Sequence, residues 1–561
     1  MRRSVVVFCT SVSAVMAWAN VASAAQEVTP DFGVLSLLPP VIAIGLCIAT
    51  KEVIPSLFVG TWVAGTMLAG WNPVLGFGNA VESLWNSLGD PWGARIVLTC
   101  LTMGGLVGVM QVGGGVDAAI RWISRRINSS RRAMFFTELA GFVIFFEDYV
   151  NTAVVGTTMA PVTDRYHISK EKLSYIVDST AAPIACIAGI SSWVAYMVGQ
   201  IGMQFNELGI QVSPYLTYLR SIPFVIYNIV ALVLLTYVVL SRRDFGPMLV
   251  AERRARETGK LLREGAQPLS STDNDPDLFP GEETPRRIIN FFLPLVFLVG
   301  TIFSMLIVTG GWPEVSLAQA IGEGSSSKAL VYGAFGSTFL TILLYSVQQV
   351  APLGRMFRGF MKGAQAIFVG SLILVFAWGI GSAIKSVGTA GFIVSVTGDF
   401  LSPQWLPLIT FFAGAVISFC TGTSYGTMGI LMPIMVPLVA AAATRTGIDP
   451  MTHMIPTIGA VFAGSVWGDH CSPISDTTIM SSMFSGSDHI DHVNTQVPYA
   501  MLAALGAGVG YGGVVMGLGA PVCLLLASAV TLVAFRLLSS PVEDYCLDEV
   551  SVGASAPTSS E

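Results

Sequence analysis

"VWGDHCSPISDTTIMSS", residues 466–482, stands where a membrane helix is expected. The residues before it, "MIPTIGAVFAGS" (454–465), are apolar enough for hydrocarbon. Then come Asp469, His470 and Asp476, with Ser472, Ser475, Thr477 and Thr478 among them and a helix-breaking Pro473. A carboxylate at the centre of a membrane helix costs about 2.5–3.5 kcal/mol even on the lenient insertion scale. Irregular backbone at that depth survives only where it is buried in protein or lines a wet cavity. The stretch therefore reads as an interrupted helix beside a polar cavity, inside an all-α polytopic membrane protein.

Composition agrees. The chain has 561 residues, of which 53% are hydrophobic and 11% charged, against about 25% charged in a soluble domain. So apolar a chain needs lipid as its main solvent. With a net charge of −6 and no basic run, nucleic acid is not an expected partner. The eight cysteines are scattered without a CxxC pair, so neither a disulfide framework nor a zinc ribbon is indicated. HExxH is absent, which argues against an intramembrane metallohydrolase; the chain is not read as an enzyme, and no cofactor is expected. Residues 1–24 follow the pattern of a signal peptide: "MRR", a short apolar core, then Ala22-Ser23-Ala24 as cleavage site.

Lys and Arg collect in cytoplasmic loops and set the orientation. Residue 25 onward begins outside the cytoplasm, the connector 71–92 has no Lys or Arg, and Arg121, Arg125, Arg126, Arg131 and Arg132 mark an internal loop. Residues 133–162 are apolar, yet Arg165, Lys170 and Lys172 follow, so the chain is expected to leave on the side it entered. A re-entrant helical hairpin, with "FFEDYVNT" (145–152) at its tip, satisfies both facts. The next segment crosses with a break at Pro183, and residues 242–287, rich in both charges, read as a solvated cytoplasmic linker.

The halves echo each other at an offset near 275. Gly104 and Gly113 recur as Gly379 and Gly388, Tyr149 as Tyr425, Pro161 as Pro437, and "SSW" (191–193) as "SVW" (465–467). The arginine-rich connector of the first copy has only Lys385 in the second, so the copies are expected to face opposite sides. Two inverted-topology repeats with re-entrant hairpins, the second turning at "FCTGTSYGT" (419–427), are the architecture of secondary transporters. The expected order is a signal peptide (1–24), scaffold helices (25–92), a first repeat and following helix (93–241), the linker (242–287), further scaffold helices (288–362), a second repeat (363–497), C-terminal helices (498–538) and a disordered tail (539–561).

Three stretches, "TGTSYGTMGILMPI" (421–434), "GSVWGDHCSPISDTTIMSS" (464–482) and "FFEDYVNT…VDSTAAPIA" (145–185), resemble the NhaC-type sodium/proton antiporters of the ion transporter superfamily. The resemblance spans residues 35–540 apart from the linker. It implies a dimeric inner-membrane carrier without a cofactor, exchanging sodium or another monovalent cation for protons. Members of the family also carry organic acids, so a carrier of an organic acid or amino acid is the rival expectation.

Asp469 and Asp476 are the leading candidates for binding cation and proton, followed by Asp148, Glu147 and Asp178. Each has a plainer alternative: Asp476 as a helix cap, Asp178 as a partner of Lys172. Asn151, Thr152, Thr421, Thr423, Ser424, Ser472 and Thr477 are expected to line the cavity, and His470 is a candidate pH sensor. "SDHIDH" (487–492) is expected to be a solvated loop, and the aromatic content to be ordinary packing.

Overall fold

The computed structural model describes residues 32–542, apart from 51, 124–126, 146–147, 190, 271–279, 281–283, 318, 321–323, 390–391 and 393–401. The signal-peptide segment, residues 543–561 and Glu147 lie outside the described residues, whereas residues 539–542, expected as the start of a disordered tail, are ordered by pairing with Arg243–Asp244. Helices dominate; the described strands are Arg243–Asp244 (β1) and Ser540–Pro541 (β2), which pair antiparallel. Among the described residues eight helices are long and apolar enough to cross a membrane, nine if Pro214–Phe224 and Ile226–Ser241, bent by 49°, form one span. Phe339, Leu525 and Leu537 lie exposed on such helices, as side chains facing lipid should.

The helices that position the site are numbered here in chain order. They are α1 (Pro91–Val112), α2 (Ser130–Val143), α3 (Asp148–Arg165), α4 (Lys170–Ser179), α5 (Ser192–Glu207), α6 (Ile226–Ser241) and α7 (Gly246–Thr258). In the second half follow α8 (Leu353–Ser386), α9 (Leu406–Thr421), α10 (Ser424–Thr446), α11 (Pro450–Asp469), α12 (Asp476–Ser485) and α13 (His489–Val515).

Two helical hairpins, α2–α3 and α9–α10, each precede a broken helix. After α3 the chain forms α4, a single turn at Ala182–Ala185 around Pro183, and then α5. After α10 it forms α11, breaks around Pro473, and restarts as α12. The second hairpin turns at Gly422, whose φ of +69° suits glycine; a Cβ there would also sit 2.4 Å from the Ile474 carbonyl oxygen. Both arms of this hairpin pass the length and composition test for a span, whereas α2 and α3 do not.

The linker departs from the sequence expectation. Its described first part, 242–270, is docked on the helices rather than solvated. Asp244 is buried, pairs with Lys172 and accepts from the Tyr499 hydroxyl at 2.7 Å. Glu252 accepts from the Ser169 backbone N–H (2.9 Å) and hydroxyl (2.8 Å), and Arg254 pairs with Glu171 at 2.9 Å. Like charges spaced along a chain read as solvated until each finds a buried opposite, and one-dimensional composition does not carry that pairing. The 71–92 connector is likewise no loop; it forms the helix Pro73–Gly89, packed on Val53–Leu68. "SDHIDH" is buried at the start of α13.

Helices α1 and α8 cross where glycines remove side chains from both. A Cβ on Gly108 would lie 2.1 Å from the Gly359 carbonyl oxygen, and one on Gly363 would lie 2.1 Å from that of Gly104. Small residues at such a spacing let helix backbones touch. Gly108→Val or Gly363→Val should therefore force the helices apart and destabilise the protein by about 1–3 kcal/mol. Thermal unfolding in detergent should show the loss, with Gly300→Val, whose Cβ meets nothing within 4 Å, as the unaffected control.

Candidate functional site

The break between α11 and α12 brings both hairpin tips to one place. Helix α11 ends at Asp469 and α12 begins at Asp476, capped by Ser475, whose hydroxyl accepts from the Thr478 backbone N–H at 3.4 Å. Capping is thus the work of Ser475, and the plainer role considered for Asp476 does not hold. Asp476 sits in the first turn, where the positive end of the helix dipole favours a carboxylate.

Asp469 is fixed by two hydroxyls. Ser424, at the second hairpin tip, donates to its Oδ2 at 2.7 Å, and Ser475 donates to its Oδ1 at 2.6 Å. Asp476 Oδ2 accepts from the Tyr149 hydroxyl at 2.8 Å and from Trp378 Nε1–H at 3.2 Å. Tyr149 stands at the start of α3, at the first hairpin tip, and Trp378 on α8. A chamber of about 100 Å³ lies among these groups, walled by Asp148, Asp469, Asp476, Thr423, Ser424, Thr477, Tyr149, Tyr425, Trp92 and Trp193. Among the described residues its lining holds three carboxylates and no Lys, Arg or His.

The chamber adjoins a vestibule of about 920 Å³, which shares Trp92, Thr423, Tyr425 and Asp476 with it and is lined also by Thr421, Trp378, Tyr196, Asp90 and Lys385. The Pro91 end of α1 lines this vestibule, while Gly114, beyond the other end, lies against Thr284 and Pro285 of the linker. A helix of 22 residues spans about 33 Å. The vestibule therefore opens away from the linker face.

The structure gathers Asp469, Asp476, Asp148, Thr423, Ser424 and Thr477 at the chamber, with Thr421 in the vestibule. It does not bring Asn151, Thr152, Ser472, His470 or Asp178 to either cavity wall. Asn151 instead braces the first hairpin, its amide N–H groups reaching the carbonyl oxygens of Gly141 (2.7 Å), Ile144 (3.1 Å) and Thr180 (2.7 Å). Thr152 donates to the Tyr149 carbonyl and Ser472 to the Phe419 carbonyl. His470 is buried between the Tyr227 hydroxyl (2.7 Å from Nδ1) and the Ser179 hydroxyl (3.0 Å from Nε2), a brace between helices rather than an exposed sensor.

Asp178 belongs to a second polar centre. It accepts from Thr478 (3.2 Å), Ser481 (3.1 Å) and Gln496 Nε2 (2.6 Å), while Lys172 is taken by Asp244. Gln496 Oε1 bonds His492 Nε2 at 2.7 Å, and Ser482 bridges His492 and His489 at 2.8 and 3.0 Å. Sequence reading missed Gln496, His492, Trp92, Trp193 and Trp378. The sequence sign for Trp193 was the recurrence of "SSW" as "SVW".

Comparison with known proteins gives the chain its relatives. The model of the "Na+/H+ antiporter family" matches residues 184–517. A protein of uncharacterised function from Haemophilus influenzae is 32% identical over 489 residues, covering 85% of this chain and 90% of that one. The Na(+)/H(+) antiporter NhaC of Alkalihalophilus pseudofirmus is 28% identical over 27% of this chain and 31% of its own length. The malate-2H(+)/Na(+)-lactate antiporter of Bacillus subtilis is 26% identical over 38% of this chain and 44% of its own.

The placement of Asn151 changes what its mutation should do. Asn151→Ala strands buried carbonyls, each costing about 1–3 kcal/mol when left unpaired, so the melting temperature should fall while cation affinity of the folded protein stays unchanged. An unchanged melting temperature with weakened affinity would return Asn151 to the cavity wall.

Proposed function

The chain belongs to the Na+/H+ antiporter family, whose members are secondary transporters and not enzymes, and from that premise we propose that it exchanges sodium, or another monovalent cation, for protons by alternating access. The observation that carries this reading is the chamber wall: Asp148, Asp469 and Asp476, with no basic side chain among the described lining residues. Three carboxylates in a confined, low-dielectric space cannot all stand ionised without a counter-charge. A cation supplies it in one state and protons supply it in the other. One site with two competing ligands, exposed alternately to each side, is sufficient for exchange.

In this reading the two hairpins and broken helices are inverted repeats. The linker is cytoplasmic, as the basic residues at 121–132 and 165–172 argue, and the mature N-terminus is external in an inner membrane. The vestibule then opens outward, and the working unit is a homodimer. The rival, a carrier of an organic acid, places a substrate carboxylate against three protein carboxylates, whereas Arg is the favoured partner for such a group. The chamber favours a cation.

Asp→Asn keeps size and hydrogen bonding but removes charge. Asp469→Asn and Asp476→Asn should each reduce sodium-dependent dissipation of an imposed pH gradient in proteoliposomes by about 100-fold or more, equivalent to about 2.7 kcal/mol, with normal expression. Wild-type exchange rates in both variants would make these acids structural and end the proposal.

A further inference from the structure

The cavity is larger and more aromatic than a bare cation requires. A vestibule of about 920 Å³ falls in the range of small-molecule sites, roughly 300–1,000 Å³. Around Asp476 the aromatic rings are organised. Trp92 stands edge-on to Trp378 (centroids 5.2 Å apart) and to Tyr149 (5.9 Å), and Tyr425 stacks on Tyr196 at 4.5 Å with Trp193 edge-on at 4.9 Å. Tyr149 and Trp378 both donate to the same oxygen of Asp476, so the carboxylate is held among the rings. An interfacial aromatic belt would face lipid and headgroups; these rings line a cavity and bind its acid.

Trp193 adds an independent sign. It lines the chamber at 2% exposure, and its Nε1–H has no hydrogen-bond partner. Buried donors without partners are rare in native structures, and a cation cannot satisfy one. A ligand oxygen facing it would supply the acceptor it lacks.

We propose that the site takes an organic ammonium ion bearing a hydroxyl or similar oxygen. The ammonium lies against the aromatic rings with Asp476 as counter-ion, and the ligand oxygen accepts from Trp193. Positive charge over Trp and Tyr faces is attracted by the ring quadrupole, most strongly when water is excluded. A small organic anion is disfavoured at the same place, because Lys385 is the one basic group of the described vestibule lining and none reaches the chamber. The inference rests on the reading that Asp476 lines the transport site, and it names the substrate class there.

The test is isothermal titration of the purified full-length protein with choline, with ethanolamine, and with 3,3-dimethylbutan-1-ol, which keeps choline's shape without its charge. Choline or ethanolamine should bind saturably, roughly tenfold or more tighter than the neutral alcohol, and sodium should compete. Trp92→Leu and the conservative Trp193→Phe should each weaken ammonium binding about fivefold or more, in protein whose unfolding temperature is monitored in parallel. Saturable binding of neither amine, or equal affinity for the alcohol, overturns the proposal. Sodium/proton exchange in proteoliposomes is read separately. Ammonium binding without sodium exchange leaves this inference standing and removes the sodium reading; sodium exchange without ammonium binding does the reverse.

Discussion

Asp469 is held from two sides, by Ser424 of the second hairpin tip and by Ser475 at the restart of the broken helix. The first joins the second hairpin tip to the end of α11 across 45 residues, and the second ties that end to the cap of α12 across the break. With α12 in place, Asp476 points to the first hairpin tip and to α8, where Tyr149 and Trp378 receive it. The remainder of the architecture can be seen as support for that junction. Glycines let α1 and α8 pack backbone to backbone, with Gly93 of α1 against the Trp378 ring, and Asn151 stiffens the turn that carries Asp148 and Tyr149.

Two polar centres result, and they differ in kind. The chamber around Asp148, Asp469 and Asp476 borders open space, with rings and hydroxyls on its wall. The centre around Asp178, Gln496, His492 and Ser482 is buried, and its groups satisfy one another. The second centre adjoins the docked linker: α4, which carries Asp178, is tied to it through Lys172 and Glu171, and α13, which carries Gln496, through Asp488 and Tyr499.

Much of this was legible before any coordinates. Acids and prolines inside apolar stretches locate the breaks at Pro183 and Pro473, because the membrane punishes such residues anywhere but at a cavity, and the echo between the halves points to the turn at "FCTGTSYGT". Asp469 and Asp476 follow from the first argument, and Thr423 and Ser424 from the second. What was not legible depends on partners. Asn151 and Asp148 look alike as polar tip residues, yet one turns inward to carbonyls and the other to the chamber. The linker's charges and the histidines of "SDHIDH" read as solvated because their buried counterparts lie elsewhere in the chain. Trp92, Trp193 and Trp378 were invisible for the opposite reason: aromatic residues are common in membrane proteins, and only their convergence on two adjoining cavities distinguishes them.

The central claim is that cation and proton share the carboxylates of one chamber. Proton release on sodium binding tests it most directly, measured with a pH-sensitive dye when sodium chloride is added to weakly buffered, detergent-solubilised protein, with choline-free potassium-balanced controls for ionic strength. The account predicts that protons leave in proportion to sodium bound, and that the release disappears in the Asp469→Asn, Asp476→Asn double variant. Saturable sodium binding without proton release, or release that persists in the double variant, would contradict it.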